Sequence, residues 1–194
     1  MAFGDNVVKR HRGRVFIQVM TDAEFKTAFH LHKDAVYRFA WRMTNSPDAA
    51  EDIAQEVFLS LLRHPGRFDP GRGAFRSFLL AIARNLALKK FRDEDRWDVL
   101  EDEQFLAQPF DIERGETADI VGSAVNSLPP LQREVLILSE YEELSLEEIA
   151  RTVDSEIGTV KSRLHRAREN LRRMLAPLKR TPVKSERSIY GTSK

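Results

Sequence analysis

The 194-residue chain has no cysteine, which excludes disulfide staples and thiolate zinc sites and suits a reducing compartment. It also lacks any run approaching the roughly 20 apolar residues that a bilayer-spanning helix needs. The apolar stretch Val15 to Met20 follows a basic start, but it is briefer than a signal-peptide core and has no small-residue cleavage site, so the chain reads as cytoplasmic. Long apolar/polar alternation is missing, as is any solenoid repeat, which removes β-rich and repeat architectures. What remains is 42% hydrophobic and 31% charged residues, enough to bury cores in a soluble, all-α protein of two small domains.

Net charge is nearly absent too, at +1, but that sum hides blocks of opposite sign. Counting Lys and Arg against Asp and Glu, residues 63–92 carry 8 against 1 and residues 158–175 carry 6 against 1. Between them, residues 93–119 carry 2 against 11 and residues 120–157 carry 2 against 8. Two basic segments parted by an acidic one are expected where two surfaces meet a polyanion and the connection stays away from it.

Apolar periodicity places the helices. Phe25, Phe29, His32, Val36, Phe39 and Met43 fall on one helical face opened by Thr21 or Asp22. Ser46 is a natural N-cap, Pro47 fits the first helical position, and Asp48, Glu51 and Asp52 suit the positive start of a helix that runs through Ile53, Val57, Phe58, Leu61 and Leu62 to HPG at 64–66. RFDPGRG (67–73) is a loop by its Pro and Gly content, and another apolar face follows from Phe75 to Leu86. From Asp93 to Asp119 the periodicity fades, leaving an acidic linker with a short helix expected around Val99 to Leu106. A helix over 128–141, started by Pro129 or Pro130, leads to the S-x-x-E capping box Ser145/Glu148, the turn DSEI, and the basic helix GTVKSRLHRARENLRRML at 158–175. Beyond Pro177 the tail is poor in apolar residues and expected to be disordered.

Two short helices joined by a turn, the second basic, form the pattern of a helix-turn-helix. Ile149, Ala150, Val153, Ile157, Val160 and Leu164 supply a small core that fixes the crossing. Thr159, Lys161, Ser162, Arg163, His165 and Arg166 are then candidates for a major groove, with Arg168, Arg172 and Arg173 better placed for phosphates. In the other basic segment, Phe68, Phe75, Phe78 and Phe91 interleave with cations around a Gly-rich loop. Such a mixture suits unstacked bases, although most of these rings also fit the core of an amphipathic helix. Both readings require the arginines to be available to a polyanion.

Taken in order, EDIAQEVFLSLLR (51–63), FDPGRGAFRSFLLAIARN (68–85), LPPLQREVLILSEYEELSLEEIA (128–150) and GTVKSRLHRARENLRRML (158–175) resemble the extracytoplasmic-function sigma factors of the sigma-70 family. The resemblance implies a bacterial transcription initiation factor with no catalytic residue, metal or cofactor. Its parts would be an extension at 1–20, a sigma-2 helical bundle at 21–96, a linker at 97–119, a sigma-4 helix-turn-helix at 120–177 and a tail at 178–194. By the same resemblance, Asp52, Gln55, Glu56, Phe58 and Leu59 meet the beta-prime clamp of RNA polymerase core. Phe68, Arg72, Phe75, Arg76, Arg84, Asn85 and Lys89 engage the opened minus-ten strand. The second domain reads the minus-thirty-five duplex through Thr159, Lys161, Ser162, Arg163, His165, Arg166 and Arg168 and meets the beta flap, and an anti-sigma factor is the expected restraint. The chain departs from the family pattern at Phe78, where Trp is common, at Lys89, where an acid is common, and at Asp154, where Gly is frequent; Asp tolerates the left-handed backbone such a turn asks for.

Two rival functions are weaker. Asp48, Glu51, Asp52 and Glu56 with His30 and His32 could hold a divalent cation for nuclease chemistry. However, histidines two apart do not share a helix face, and acids in a first turn already have the helix dipole as their reason. A helix-turn-helix regulator binding duplex DNA alone accounts for 128–175 but leaves 21–92 without a task.

Overall fold

The computed structural model describes residues 20–93 and 117–179. The extension before Met20, the helix expected around Val99 to Leu106 and nearly all of the basic tail lie outside them. Among the described residues there are seven α-helices and no strand.

Helix α1 (Asp22–Thr44) opens on a reciprocal box in which the Thr21 hydroxyl accepts from the Glu24 amide and the Glu24 carboxylate accepts from the Thr21 amide. It ends on Asn45, whose backbone is left-handed (φ 55°), as Asn tolerates. Helix α2 (Pro47–Arg63) starts as its sequence implies, on the Ser46 cap with Pro47 next. After two short 3-10 turns at Pro65–Arg67 and Pro70–Arg72 comes α3 (Phe75–Asp93). Val36, Phe39 and Met43 of α1, Ile53 and Leu61 of α2, and Leu79, Leu80 and Phe91 of α3 close the first core.

Helix α4 (Thr117–Asn126) is absent from the sequence expectation and begins inside the stretch assigned to the linker. Its register, Ile120, Ala124 and then Leu128, is only two turns long and follows a run of acids, so periodicity alone is too brief to announce it. Helix α5 (Pro130–Glu140) has Pro129 as its N-cap, and α6 (Leu146–Thr152) opens on the Ser145/Glu148 box. Asp154 takes the left-handed conformation (φ 50°) in the turn before α7 (Ile157–Met174), as expected of an Asp there. Ile149, Val160, Leu164 and Ala167 fix the crossing of α6 and α7.

The capping box makes a direct prediction. Ser145→Ala is expected to lower the melting stability by about 1 kcal/mol, because one orphan amide of α6 loses its acceptor. The Ser145 amide and hydroxyl hold the Glu148 carboxyl below the ordinary carboxylate range. The folded value lies below the unfolded one, so this stabilisation is complete above the unfolded value and is lost as pH falls through the folded one. A carboxyl-detected NMR titration of wild type and Ser145→Ala checks both points, the variant being expected to titrate closer to an ordinary Glu.

The two halves do not stand apart. Their buried residues form one continuous cluster, with α4 and α5 against α1 and α6 against α3. Two adjacent charges in the apolar run of α5 make the joint. Arg133 reaches the Met43 carbonyl at the end of α1 and the Asn126 and Leu128 carbonyls, while Glu134 receives Arg84 of α3. Asn126 Nδ2 also donates to Asn45 Oδ1 at 2.8 Å.

Candidate polymerase and nucleic-acid interfaces

Helix α2 and the far end of α3 form an open groove of about 420 Å³. Asp52, Gln55, Glu56 and Leu59, four of the five residues expected to meet polymerase, line it together. Leu59 is 41% exposed, the half-buried Leu86 lies in the same groove, and Leu62 of α2 and Phe29 of α1 are exposed as well. Asp52 pairs with Lys90 (3.2 Å) and Glu56 with Arg63 (2.8 Å), so these acids have basic partners rather than a shared cation. No metal-binding group of three or more His, Asp or Glu occurs among the described residues. Phe58 does not project: it is 4% exposed, packed edge-on against Phe29 at 4.9 Å, and floors a second groove between α1 and α2. Its place in the docking set is therefore corrected to that of a core ring supporting the surface.

The seven residues assigned to the opened strand do not share one face. Phe68, Phe75 and Phe78 cluster on one another, with centroids 4.9 to 6.2 Å apart, where the loop meets the start of α3. They are half-buried, so core packing explains much of them. His32 leans on Phe75 at 5.5 Å, and burial together with the Arg76 charge holds its imidazole below the usual value, so the ring is neutral at pH 7. Arg72 is exposed on the loop, and Gly73 (φ 150°) occupies backbone that only glycine enters readily. Asn85 lies nine residues beyond Arg76, about two and a half helical turns, and so points from the opposite side of α3. Lys89 lines the α2/α3 groove beside Leu59, apart from the Phe68, Phe75 and Phe78 cluster.

Arg84 is largely covered in this arrangement, and Arg76, its side chain 37% exposed, is already paired. Arg84 is 15% exposed and grips Glu134 with both arms of its fork, Nε to Oε2 at 2.7 Å and Nη2 to Oε1 at 3.1 Å. Arg76 donates to the Glu142 carboxylate and to the Glu142 carbonyl at 3.0 Å. Glu134 and Glu142 are 0% and 2% exposed. Burial pushes both carboxyls above their ordinary value, against the pull of Arg84 on the first and Arg76 on the second.

On α7 the outward stripe is Lys161, Ser162, His165, Arg168 and Arg172, alternating with the buried row of Val160, Leu164, Ala167 and Met174. Thr159 and Arg166 are half-buried on the flanks, the Thr159 carbonyl accepting from the Ser162 hydroxyl at 2.9 Å. Arg163 turns under the helix, 23% exposed and 3.9 Å from Glu134, which removes it from the face expected to carry base contacts. Arg168 pairs with Glu140, the next exposed acid of α5. Arg133, Glu134 and Glu142 were not among the expected site residues. The signal of the first two in the sequence is a pair of charges inside LQREVLIL, where a buried helix face should be apolar, whereas Glu142 lies beyond that run with no such mark.

Known proteins agree with this layout. The family described as Sigma-70 region 2 matches residues 28–96, and Sigma-70, region 4 matches residues 118–171. The ECF RNA polymerase sigma factor SigW of Bacillus subtilis is 32% identical over 169 residues, covering 79% of this chain and 90% of its own length. SigE of Mycolicibacterium smegmatis, also an ECF RNA polymerase sigma factor, is 35% identical over 75% of this chain, which spans 59% of that relative. Among solved structures, the sigma factor RpoE of Bartonella quintana, determined with the anti-sigma factor NepR, superposes with a TM-score of 0.63 at 27% identity, covering 79% of this chain and 97% of that one. A regulator built of a helix-turn-helix alone leaves the match over 28–96 without explanation, and the chain belongs to the sigma-70 family as an RNA polymerase sigma factor of the extracytoplasmic-function type.

Proposed function

We propose that this chain directs RNA polymerase core to promoters by docking through the α2/α3 groove and presenting two nucleic-acid surfaces from its two halves. In this reading 21–96 holds the polymerase and minus-ten functions and 120–177 the minus-thirty-five function. The beta-prime clamp takes the groove lined by Asp52, Gln55, Glu56 and Leu59. Lys161, Ser162, His165 and Arg168 face the upstream duplex, while Arg72, Phe75 and Asn85 meet the displaced strand, Arg76 and Arg84 joining them only once released from Glu142 and Glu134. The chain performs no catalysis of its own and acts in the cytoplasm, where polymerase is. An anti-sigma factor is a fitting partner, since RpoE was solved bound to one.

The observation that carries this reading is the outward stripe of α7, whose cations and hydroxyl alternate with the row anchoring it to α6. A helix held so firmly on one face and so basic on the other is shaped for a major groove. Base preferences are measured by transcription from a randomised promoter library with core enzyme. Lys161→Ala is expected to relax preference at one upstream position, costing about 1–3 kcal/mol there. Arg163→Ala should leave preferences unchanged. Asn85→Ala is expected to slow strand opening, read by permanganate reactivity, with core binding intact. Unchanged preferences in Lys161→Ala together with normal opening in Asn85→Ala contradict the assignment.

A further inference from the structure

One buried polar contact belongs neither to the docking groove nor to the joint between the halves. Gln132 of α5 and Asn170 of α7 are both buried, and Asn170 Nδ2 donates to Gln132 Oε1 at 2.9 Å. Asn170 continues the inner row of α7, which is otherwise made of Val160, Leu164, Ala167 and Met174. The start of that row packs on Ile149 of α6, but α6 has seven residues against the 18 of α7 and supports only part of its length. Asn170 lies ten residues beyond Val160, about 15 Å along the axis, and ties the far end of α7 to α5 by a directional bond. The charged approaches between the same two helices hold less. Arg163 is 3.9 Å from Glu134, whose carboxylate is already taken by the Arg84 fork, and the Arg168–Glu140 pair is exposed at both ends and open to screening.

We infer that the Gln132–Asn170 pair is the positioning element of the basic helix: it fixes the roll of α7 about its own axis and, through that roll, which bases the outward stripe meets. The inference rests on the reading of α7 as the upstream reader. Apolar contact is non-directional, so a row of aliphatic side chains tolerates a small roll of the helix over its support. An amide pair does not. Its hydrogen bond survives only within a few tenths of an ångström, and two buried amides drawn apart disfavour the rolled arrangement by roughly tenfold or more. Readout is sensitive to the same small motion. With side-chain tips roughly 6 Å from the axis, a roll of about 20° carries Lys161, Ser162 and His165 sideways by about 2 Å, beyond the reach of a bond to a base edge. Phosphate contacts are more forgiving, because a charge acts over a longer range. Loss of the pair therefore blunts sequence preference more than it weakens binding. Matched apolar side chains would hold the two helices together as tightly, so the pair contributes orientation rather than stability.

Replacing both amides by side chains of similar shape separates positioning from packing. Gln132→Met with Asn170→Leu removes the bond, whereas Gln132→Asn with Asn170→Gln exchanges the partners and lets it re-form. In transcription from the randomised promoter library with core enzyme, the apolar double variant is expected to keep most of the total initiation while its upstream base preferences flatten about fivefold or more. Preferences at the minus-ten element should stay as they were, and the exchanged pair should restore the upstream ones. The roll itself is read without DNA. Because the chain has no cysteine, Glu147→Cys on α6 and Arg173→Cys on α7, both exposed, carry two spin labels in the full chain. Double electron–electron resonance should give a narrow separation for wild type and for the exchanged pair, and a broader or shifted one for the apolar variant. A broadened separation, with upstream preferences that neither the apolar variant nor Lys161→Ala alters, upholds the positioning and sinks α7 as the upstream reader. Unaltered preference in the apolar variant where Lys161→Ala flattens it overturns the inference, as does an unchanged label separation with helicity intact by circular dichroism. Asn170→Ala, judged by the same two readouts, decides the matter should the apolar pair not fold.

Discussion

Arg133→Ala is expected to lower the folding stability of the chain by about 3–5 kcal/mol, enough to drop the melting temperature by roughly 10 °C. Arg133 is 3% exposed, a charge in the centre of the apolar run of α5. Its guanidinium donates to Met43 O at the end of α1 and to Asn126 O and Leu128 O around the end of α4. The last carbonyls of a helix lack intrahelical donors and carry the negative end of its dipole, so a buried guanidinium satisfies both needs at once. Its plane also approaches the Phe91 ring at 5.8 Å. Truncation removes the donors from three carbonyls, leaves a cavity beneath α5 and cuts the link from α5 to the end of α1. Arg133→Lys keeps the charge but not the planar fork and should recover only a minor part of the loss. Thermal or urea unfolding measures both variants. A change below 1 kcal/mol in Arg133→Ala would show that solvent already satisfies these carbonyls.

Much of this molecule was legible in its sequence because helices declare themselves through caps and period. Thr21, Ser46 and Ser145 cap where their side chains allow, and Asp154 turns left-handed where the helix-turn-helix needs it. Asp52, Gln55, Glu56 and Leu59 come together in one groove because α2 carries them on adjoining positions of one face. What could not be read is the pairing of side chains across 50 to 66 residues of sequence, on which the state of Arg84 and Arg76 depends. A basic helix looks the same in sequence whether its arginines face solvent or a buried carboxylate. The same limit moved Arg163 inward and Lys89 to the α2/α3 groove, since a surplus of cations in a segment does not say around which side of the helix each one falls. Phe58 failed as a contact for a simpler reason: in an amphipathic helix the residue beside an exposed leucine is often part of the core.

Leu59→Arg is expected to weaken capture by RNA polymerase core about a hundredfold while leaving the fold intact. Leu59 is exposed, so substitution opens no cavity, and the groove around it carries Asp52, Gln55, Glu56, Lys89, Lys90 and Asp93 beside the half-buried Leu86. An apolar side chain ringed by polar ones is the usual anatomy of a binding hot spot, where losing one anchor costs 2 kcal/mol or more, and a charge in its place adds the cost of desolvating it. Gln55→Ala, on the rim of the same groove, should cost severalfold. Affinity is read by titrating labelled core enzyme, with melting temperature as the control for folding. Equal affinity of Leu59→Arg and wild type would move the polymerase contact elsewhere, most directly to the α1/α2 groove floored by Phe58.

The central claim is that one chain supplies both the attachment to polymerase and the two promoter contacts. Run-off transcription with purified core enzyme and no other initiation factor, on a template pool containing promoters selected by this chain, tests it most directly. The account predicts initiation at defined positions that requires the chain, fails with Leu59→Arg and loses its upstream preference with Lys161→Ala. Transcription that starts at the same positions without the chain, or only when a different sigma factor is added, would contradict it.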